Sequence, residues 1–142
     1  VKAYSDDFFA EIVYKKKTMP HAVEALEYLS SKYNLYILSN GFRELQEQKM
    51  RSAGFDKYFK KVVLSEDIGV HKPFPEIFYF AMSATQSELH TSLMIGDNWE
   101  NDIAGAKDAG LGQVFYNVKK TTKFSFQPTG IIEDWNEIGK IL

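Results

Sequence analysis

Three short stretches of the chain bring together residue types that can hold a phosphate group and a hard metal ion. In YILSNG an apolar run ends in Ser39, Asn40 and Gly41, immediately before a helical pattern. A hydroxyl and the unpaired N–H groups at a helix start both favour an anion, because donors and helix dipole point the same way. The same residues also fit a plain strand-to-helix turn with a serine cap. In GVHKPFPEIF, Lys72 stands before prolines at 73 and 75 at the head of a helix. A cation at that end opposes the dipole, so Lys72 is expected to have an anionic partner. A lysine stem lying along a solvated loop is the alternative. In LMIGDNWENDIAGAKDAG an apolar run delivers Gly96 and Asp97, and Asp102 follows five residues later. That spacing puts Asp102 about one turn into the next helix. Hard carboxylate oxygens suit Mg²⁺, which uses one or two protein carboxylates with substrate oxygens and water. Helix capping explains the residue types but not the glycine with paired acids.

The neighbouring residues have simpler readings. Trp99 and the small residues Ala104, Gly105 and Ala106 suit close packing of a helix on a sheet. His21, His71 and His90 show no metal-ligand spacing and are read as non-metal histidines.

Elements that could position these residues alternate along the chain. Short β-rich runs occur at Leu35 to Leu38, Val62 to Leu64, Leu93 to Ile95, Val114 to Tyr116 and Ile131 to Ile132, with helical patterns between them. The alternation predicts an α/β fold, and the continuous apolar runs predict parallel strands covered on both faces. A first helix is expected from Pro20 after a Thr18 cap, with Ala22, Leu26, Leu29 and Tyr33 on one face and Asn34 as its end. A second follows LSNG, with Phe42 and Leu45 inward and Ala53-Gly54 as its stop. A third spans Phe74 to Ala84, a fourth runs from Trp99 to Ala109 before Gly110, and a last one starts near Asp134 with Trp135, Ile138 and Leu142 together. In open sheets of this kind functional groups gather at the carboxyl ends of the strands, where Ser39 and Asp97 fall.

Composition narrows the partners. The 142 residues suit one domain, and 17 basic against 19 acidic side chains leave no field that would gather a nucleic acid polymer or an anionic membrane. No cysteine is present, so thiolate chemistry and disulfides are excluded and a cytoplasmic setting is expected. No apolar run approaches the roughly 18 residues that span a bilayer. The start, VKAYSDDFF, has neither a signal-peptide pattern nor an initiator methionine, which leads us to expect a fragment.

An anion cradle, a lysine and a metal-binding acid, each just after a strand, point to Mg²⁺-assisted phosphoryl chemistry. Their order resembles the haloacid dehalogenase superfamily over roughly residues 18 to 142, with LSNG similar to its second motif, HKP to its third and IGDNWEND to its fourth. SNGFRELQ and LSEDIGVHKPFPEIF are similar to the branch of small-molecule phosphatases and nucleoside monophosphate nucleotidases. The resemblance implies a Rossmann-like three-layer core. It also implies a phosphomonoester hydrolase that works through an aspartyl-phosphate on small phosphorylated metabolites, nucleoside monophosphates among them. Ser39, with backbone near Asn40 and Gly41, would bind the phosphoryl group, and Lys72 would neutralise the charge gathered there. Asp97 would bind Mg²⁺ directly, and Asp102 would bind it through water or orient the site.

The family's first motif, an aspartate, any residue and a second aspartate, is absent. Asp6-Asp7 is followed by Phe8-Phe9 and preceded by polar residues, so it is rejected as the nucleophile, and this chain alone is expected to be inactive. Residues 1–17, with Phe8, Phe9, Ile12 and Val13 at helical spacing, are expected to be a remnant of the family's cap and a connector that includes Lys15 to Lys17, leaving 18–142 as the core. The usual central first strand would then be missing. Three closures are open: direct pairing of the flanking strands, which is preferred, a replacement strand at Glu11 to Tyr14, or exchange of segments between chains. Exposed sheet edges would favour self-association. A phospho-acceptor signalling domain and a non-catalytic anion-binding or interaction domain are the competing readings. The first needs an acidic pair after its first strand, which does not occur, and the second is excluded only by aspartyl-phosphate formation.

Overall fold

The computed structural model describes residues 21–44, 47, 48, 51 and 54–142 with their side chains, and residues 7–10 as backbone. The described residues form six strands: β1 Asp7–Ala10, β2 Asn34–Ser39, β3 Lys61–Leu64, β4 Ser92–Gly96, β5 Gly112–Tyr116 and β6 Gly130–Ile132. They form one sheet in the order β3-β2-β1-β4-β5-β6. Every pairing is parallel.

The expected direct pairing of the flanking strands does not occur. β1 lies between β2 and β4, with Asp7 opposite Asn34 and Ser92, and Ala10 opposite Ile37 and Ile95. Residues 7–10 are therefore part of the core sheet and not of a cap helix. The replacement strand comes earlier in the chain than Glu11 to Tyr14, a segment outside the described residues. An empty central slot would leave two rows of N–H and C=O groups unpaired, and one inserted strand satisfies both rows. Phe8-Phe9 also belongs to the aromatic class favoured on a pleated surface.

Alternate strand residues separate the core into two layers. Leu35 and Ile37 of β2, Leu93 and Ile95 of β4, and Val114 of β5 face α1 (Ala22–Lys32) and the C-terminal residues Trp135 and Ile138. Tyr36, Leu38 and Met94 face the other way, toward Ile77, Phe78 and Ala81 of α2 (Pro75–Thr85) and Ala106 and Ala109 of α3 (Gly105–Ala109). This is the expected three-layer arrangement. The α1 face is Ala22, Ala25, Leu26 and Leu29, and the helix gives way to β2 within one residue, so Asn34 opens a strand. The Thr18 cap, the Lys15–Lys17 connector, Leu45 and Ala53 lie outside the described residues.

Two elements depart from the sequence expectation. The helix after Asp97 is not uniform: Trp99–Ala104 is a turn of π-helix and only Gly105–Ala109 is α-helical, ending at Gly110 with φ 102°. Gly105 lets α3 come down on the lysine loop, since a Cβ there would meet Pro73 and Phe78 at 3.1 Å. Phe42 is 71% exposed and not inward. It occupies the turn that leaves β2, ahead of the helical residues Arg43 and Glu44, and so projects from the carboxyl edge of the sheet. The last helix, α4 (Ile138–Ile141), follows a single 3₁₀ turn over Trp135–Glu137, capped by Asp134.

Candidate active site

The strand order reverses between β1 and β4, and in open parallel sheets that switch point is where a crevice opens at the carboxyl ends. Ser39 lies two residues beyond the Ile37 that faces Ala10, and Asp97 two beyond the Ile95 that faces it from the other side. The two residues thus stand level with each other, on either side of the line of β1 and beyond Ala10. Asp7 opens β1, at the opposite edge.

Lys72 reaches this place from the loop before α2. Its side chain is wholly buried, and the ammonium donates to the Leu38 carbonyl at 3.1 Å and to Asp102 Oδ1 at 2.6 Å. The anionic partner expected for Lys72 is therefore Asp102, itself 1% exposed. The second carboxylate oxygen, Oδ2, accepts from the Asn98 backbone N–H at 3.2 Å. Burying two charges is costly unless hydrogen bonds satisfy them on several sides, and these bonds do so. Gly96 is required by the same geometry, because a Cβ on it would overlap the Asp102 carboxylate. This gives the glycine of IGDN a physical reason that residue types alone did not supply.

The serine-asparagine-glycine turn is built differently from a row of outward-pointing donors. Ser39 is 1% exposed, and its Oγ accepts from the Gly41 N–H at 3.0 Å, so that amide is directed back onto the serine. Asn40 turns toward the lysine loop: Nδ2 donates to the Lys72 carbonyl at 3.2 Å and Oδ1 accepts from the Lys72 N–H at 2.9 Å. The Ser65 hydroxyl in turn donates to the Asn40 carbonyl at 3.2 Å. The turn after β3 and the lysine loop are thereby tied to one residue. Ser65 carried no recognisable sequence signal.

Asp97 is half-buried at the end of β4. Its charge is felt across the strand by Tyr116, whose phenol is raised above its ordinary value first by burial and then by the carboxylates of Asp134 and Asp97. A hard cation fits the Asp97 carboxylate by donor type. Asp102 fits the orientation of Lys72 better than direct ligation, since its two oxygens are engaged by Lys72 and Asn98. Among the described residues no cluster of three or more histidine, cysteine, aspartate or glutamate side chains could enclose a metal. His21 pairs with Asp134 at 2.7 Å, His71 stacks edge-on with Phe74 and His90 meets Glu88 at 3.2 Å, which places each in a local contact.

A family model for haloacid dehalogenase-like hydrolases matches residues 1–110. The chain belongs to that family. It is 35% identical over 118 residues to the pyrimidine 5'-nucleotidase YjjG of Escherichia coli K12, covering 82% of this chain and 51% of the relative. It is 34% identical over 95 residues to the human N-acylneuraminate-9-phosphatase, covering 66% of this chain and 38% of the relative. The chain thus spans about half, or less, of the curated relatives it matches. Among solved structures, the HAD-hydrolase YfnB from Bacillus subtilis bound to magnesium superposes with a TM-score of 0.82 at 29% identity, over 89% of this chain and 55% of that one. The HAD phosphatase from Thermococcus onnurineus superposes at 0.81 and 28% identity, over 88% and 58%. The haloacid dehalogenase-like fold agrees with the family resemblance read from the sequence. Among the described residues no helix is long and apolar enough to cross a membrane.

Proposed function

We propose that this chain is the phosphate-binding and metal-binding part of a Mg²⁺-dependent phosphomonoester hydrolase. The observation that carries the reading is the buried Lys72, whose ammonium links the end of β2 to the helical turn after Asp97. A fixed cation in a site closed to water is most effective where negative charge accumulates, as it does on a transferring phosphoryl group. In this reading Ser39 donates to a phosphoryl oxygen, Lys72 neutralises the charge between nucleophile and phosphorus, and Asp102 keeps the ammonium in place. Asp97 would hold Mg²⁺, which when bound supplies Lewis-acid charge to the phosphoryl oxygens.

The covalent step needs an aspartate that attacks phosphorus, expels the alcohol and is then freed by water. No aspartate-x-aspartate pair occurs in these 142 residues, so the nucleophile belongs to the intact protein and this chain alone is inactive. Small phosphorylated metabolites are the proposed substrates. Nucleoside monophosphates come first because the Escherichia coli relative is a pyrimidine 5'-nucleotidase. Balanced charge offers no field for nucleic acid polymers, and the lack of cysteine is compatible with the proposed cytoplasmic setting.

The test is hydrolysis of p-nitrophenyl phosphate and nucleoside monophosphates by the 142-residue chain with Mg²⁺, beside calorimetric binding of inorganic phosphate. The expected result is no turnover, with phosphate binding that Mg²⁺ strengthens and Asp97→Ala weakens. Turnover abolished by Asp97→Ala would place the nucleophile within the chain. A folded chain that binds no phosphate would overturn the reading in favour of a non-catalytic interaction domain.

A further inference from the structure

The carboxamide of Asn40 makes a reciprocal pair of hydrogen bonds with the backbone of Lys72, one to its carbonyl at 3.2 Å and one from its N–H at 2.9 Å. A primary amide carries a donor and an acceptor side by side, so it can pair with a peptide group as a neighbouring strand would. Lys72 has no strand to do this. It precedes Pro73, which lacks an N–H and cannot extend a ladder, and its backbone lies in the loop before α2. From that anchored backbone the side chain runs inward to the Leu38 carbonyl and Asp102. Asn40 is itself held from behind by the Ser65 hydroxyl at 3.2 Å.

We propose that Asn40 is a positioning residue, whose side chain clamps the Lys72 backbone so that the lysine ammonium is delivered to the phosphoryl site. The step from clamp to phosphoryl site rests on the function proposed above, while the clamp itself does not. Ser39 and Asn40 then divide the labour of one turn. The serine faces the anion, and the asparagine sets the cation that completes the site. Residue type accounts for the division: aspartate at position 40 would keep an acceptor for the Lys72 N–H but lose the donor to its carbonyl. Alanine loses both.

The experiment is native-state acylation of the full 142-residue chain with a water-soluble succinimidyl ester, read lysine by lysine by mass spectrometry, for wild type, Asn40→Ala and Asn40→Asp. Phosphate binding is measured on the same samples. Wild-type Lys72 should be nearly unreactive beside the exposed Lys119 and Lys120. Two lost hydrogen bonds should raise its rate relative to those lysines by roughly tenfold in Asn40→Ala, and one lost bond by roughly threefold in Asn40→Asp. Phosphate affinity should fall in the same order.

A rate at Lys72 that stays within about twofold of wild type in folded Asn40→Ala would overturn the clamp. If that variant does not fold, Asn40→Asp decides by the same criterion. Acceleration of all lysines together, with Lys72 not singled out, would also overturn it, since that is the signature of general loosening. Release of Lys72 with phosphate affinity unchanged would uphold the clamp and overturn the part given to Lys72 in phosphate binding.

Discussion

Lys72 Nζ and Asp102 Oδ1 are 2.6 Å apart, with the two side chains 0% and 1% exposed. Removing one member of such a pair leaves the other as an uncompensated buried charge, which costs about 3–5 kcal/mol. Asp102→Ala should therefore lower the urea midpoint sharply. Lys72→Met combined with Asp102→Leu should recover most of the loss, because an apolar pair of similar volume carries no desolvation penalty. A double variant no more stable than Asp102→Ala would show that the pair does not act as a unit.

Gly96→Ala tests the closeness of the strand end to that carboxylate. An added methyl must displace Asp102 from its bonds to Lys72 and Asn98. The expected loss is about 1–3 kcal/mol, the range for forcing a group into a packed interior. Thermal unfolding measures it, and a melting temperature equal to wild type would mean that the carboxylate has room to move.

Acid should weaken the turn after β3 through Asp67. Burial alone would raise this carboxyl, but the Leu64 N–H at 2.9 Å and the Arg43 guanidinium outweigh burial and hold it below its ordinary value. Arg43 grips both oxygens, at 2.8 and 3.0 Å. A depressed folded value stabilises the protein above the unfolded value of about pH 4, and the contribution is lost as pH falls through the folded one. Wild type should thus lose more stability than Asp67→Asn below about pH 4. At neutral pH the variant should be weaker by about 1 kcal/mol, a modest figure because water reaches the pair. Parallel pH profiles from urea titrations would contradict this.

Trp99 anchors the long connection after β5. Its ring lies 5.2 Å from Phe115 and Phe124 and 4.8 Å from Phe126, so it ties that connection to the π-helical turn beside Asp97. Trp99→Ala should cost about 2 kcal/mol and speed amide hydrogen exchange around Phe124 and Phe126 before it affects β2 or β3. Uniform acceleration across the sheet would refute the local anchor.

Much of this arrangement is written in short-range patterns. Ile77, Phe78 and Ala81 follow helical spacing and are fully buried, and the apolar runs around Leu35 and Leu93 became covered parallel strands. Ser39, Lys72 and Asp97 stood out as candidates by type and position, Ser39 as the last residue of its strand and the other two beyond one. What remained hidden depends on partners far away in the chain. Phe8-Phe9 has helical spacing with Ile12 and Val13, yet residues 7–10 pair with β2 and β4, because a vacant slot in the middle of a sheet outweighs local periodicity. The bonds of Asn40 to the Lys72 backbone also escaped, since they span 32 residues, and the contact of Gly96 with Asp102, although inside one motif, depends on how the helical turn folds back on the strand end.

The central ladder has a consequence for how the molecule comes apart. β1, β2 and β3 pair among themselves, and so do β4, β5 and β6; among the described strands only the β1 to β4 ladder joins the two groups. That one ladder divides the sheet into two halves of three strands each. Ser39 belongs to one half and Asp97 to the other, while the Lys72 to Asp102 bond crosses between them. Parting that ladder would therefore separate Ser39 from Asp97 and break the Lys72 to Asp102 bond while leaving each motif whole within its own half.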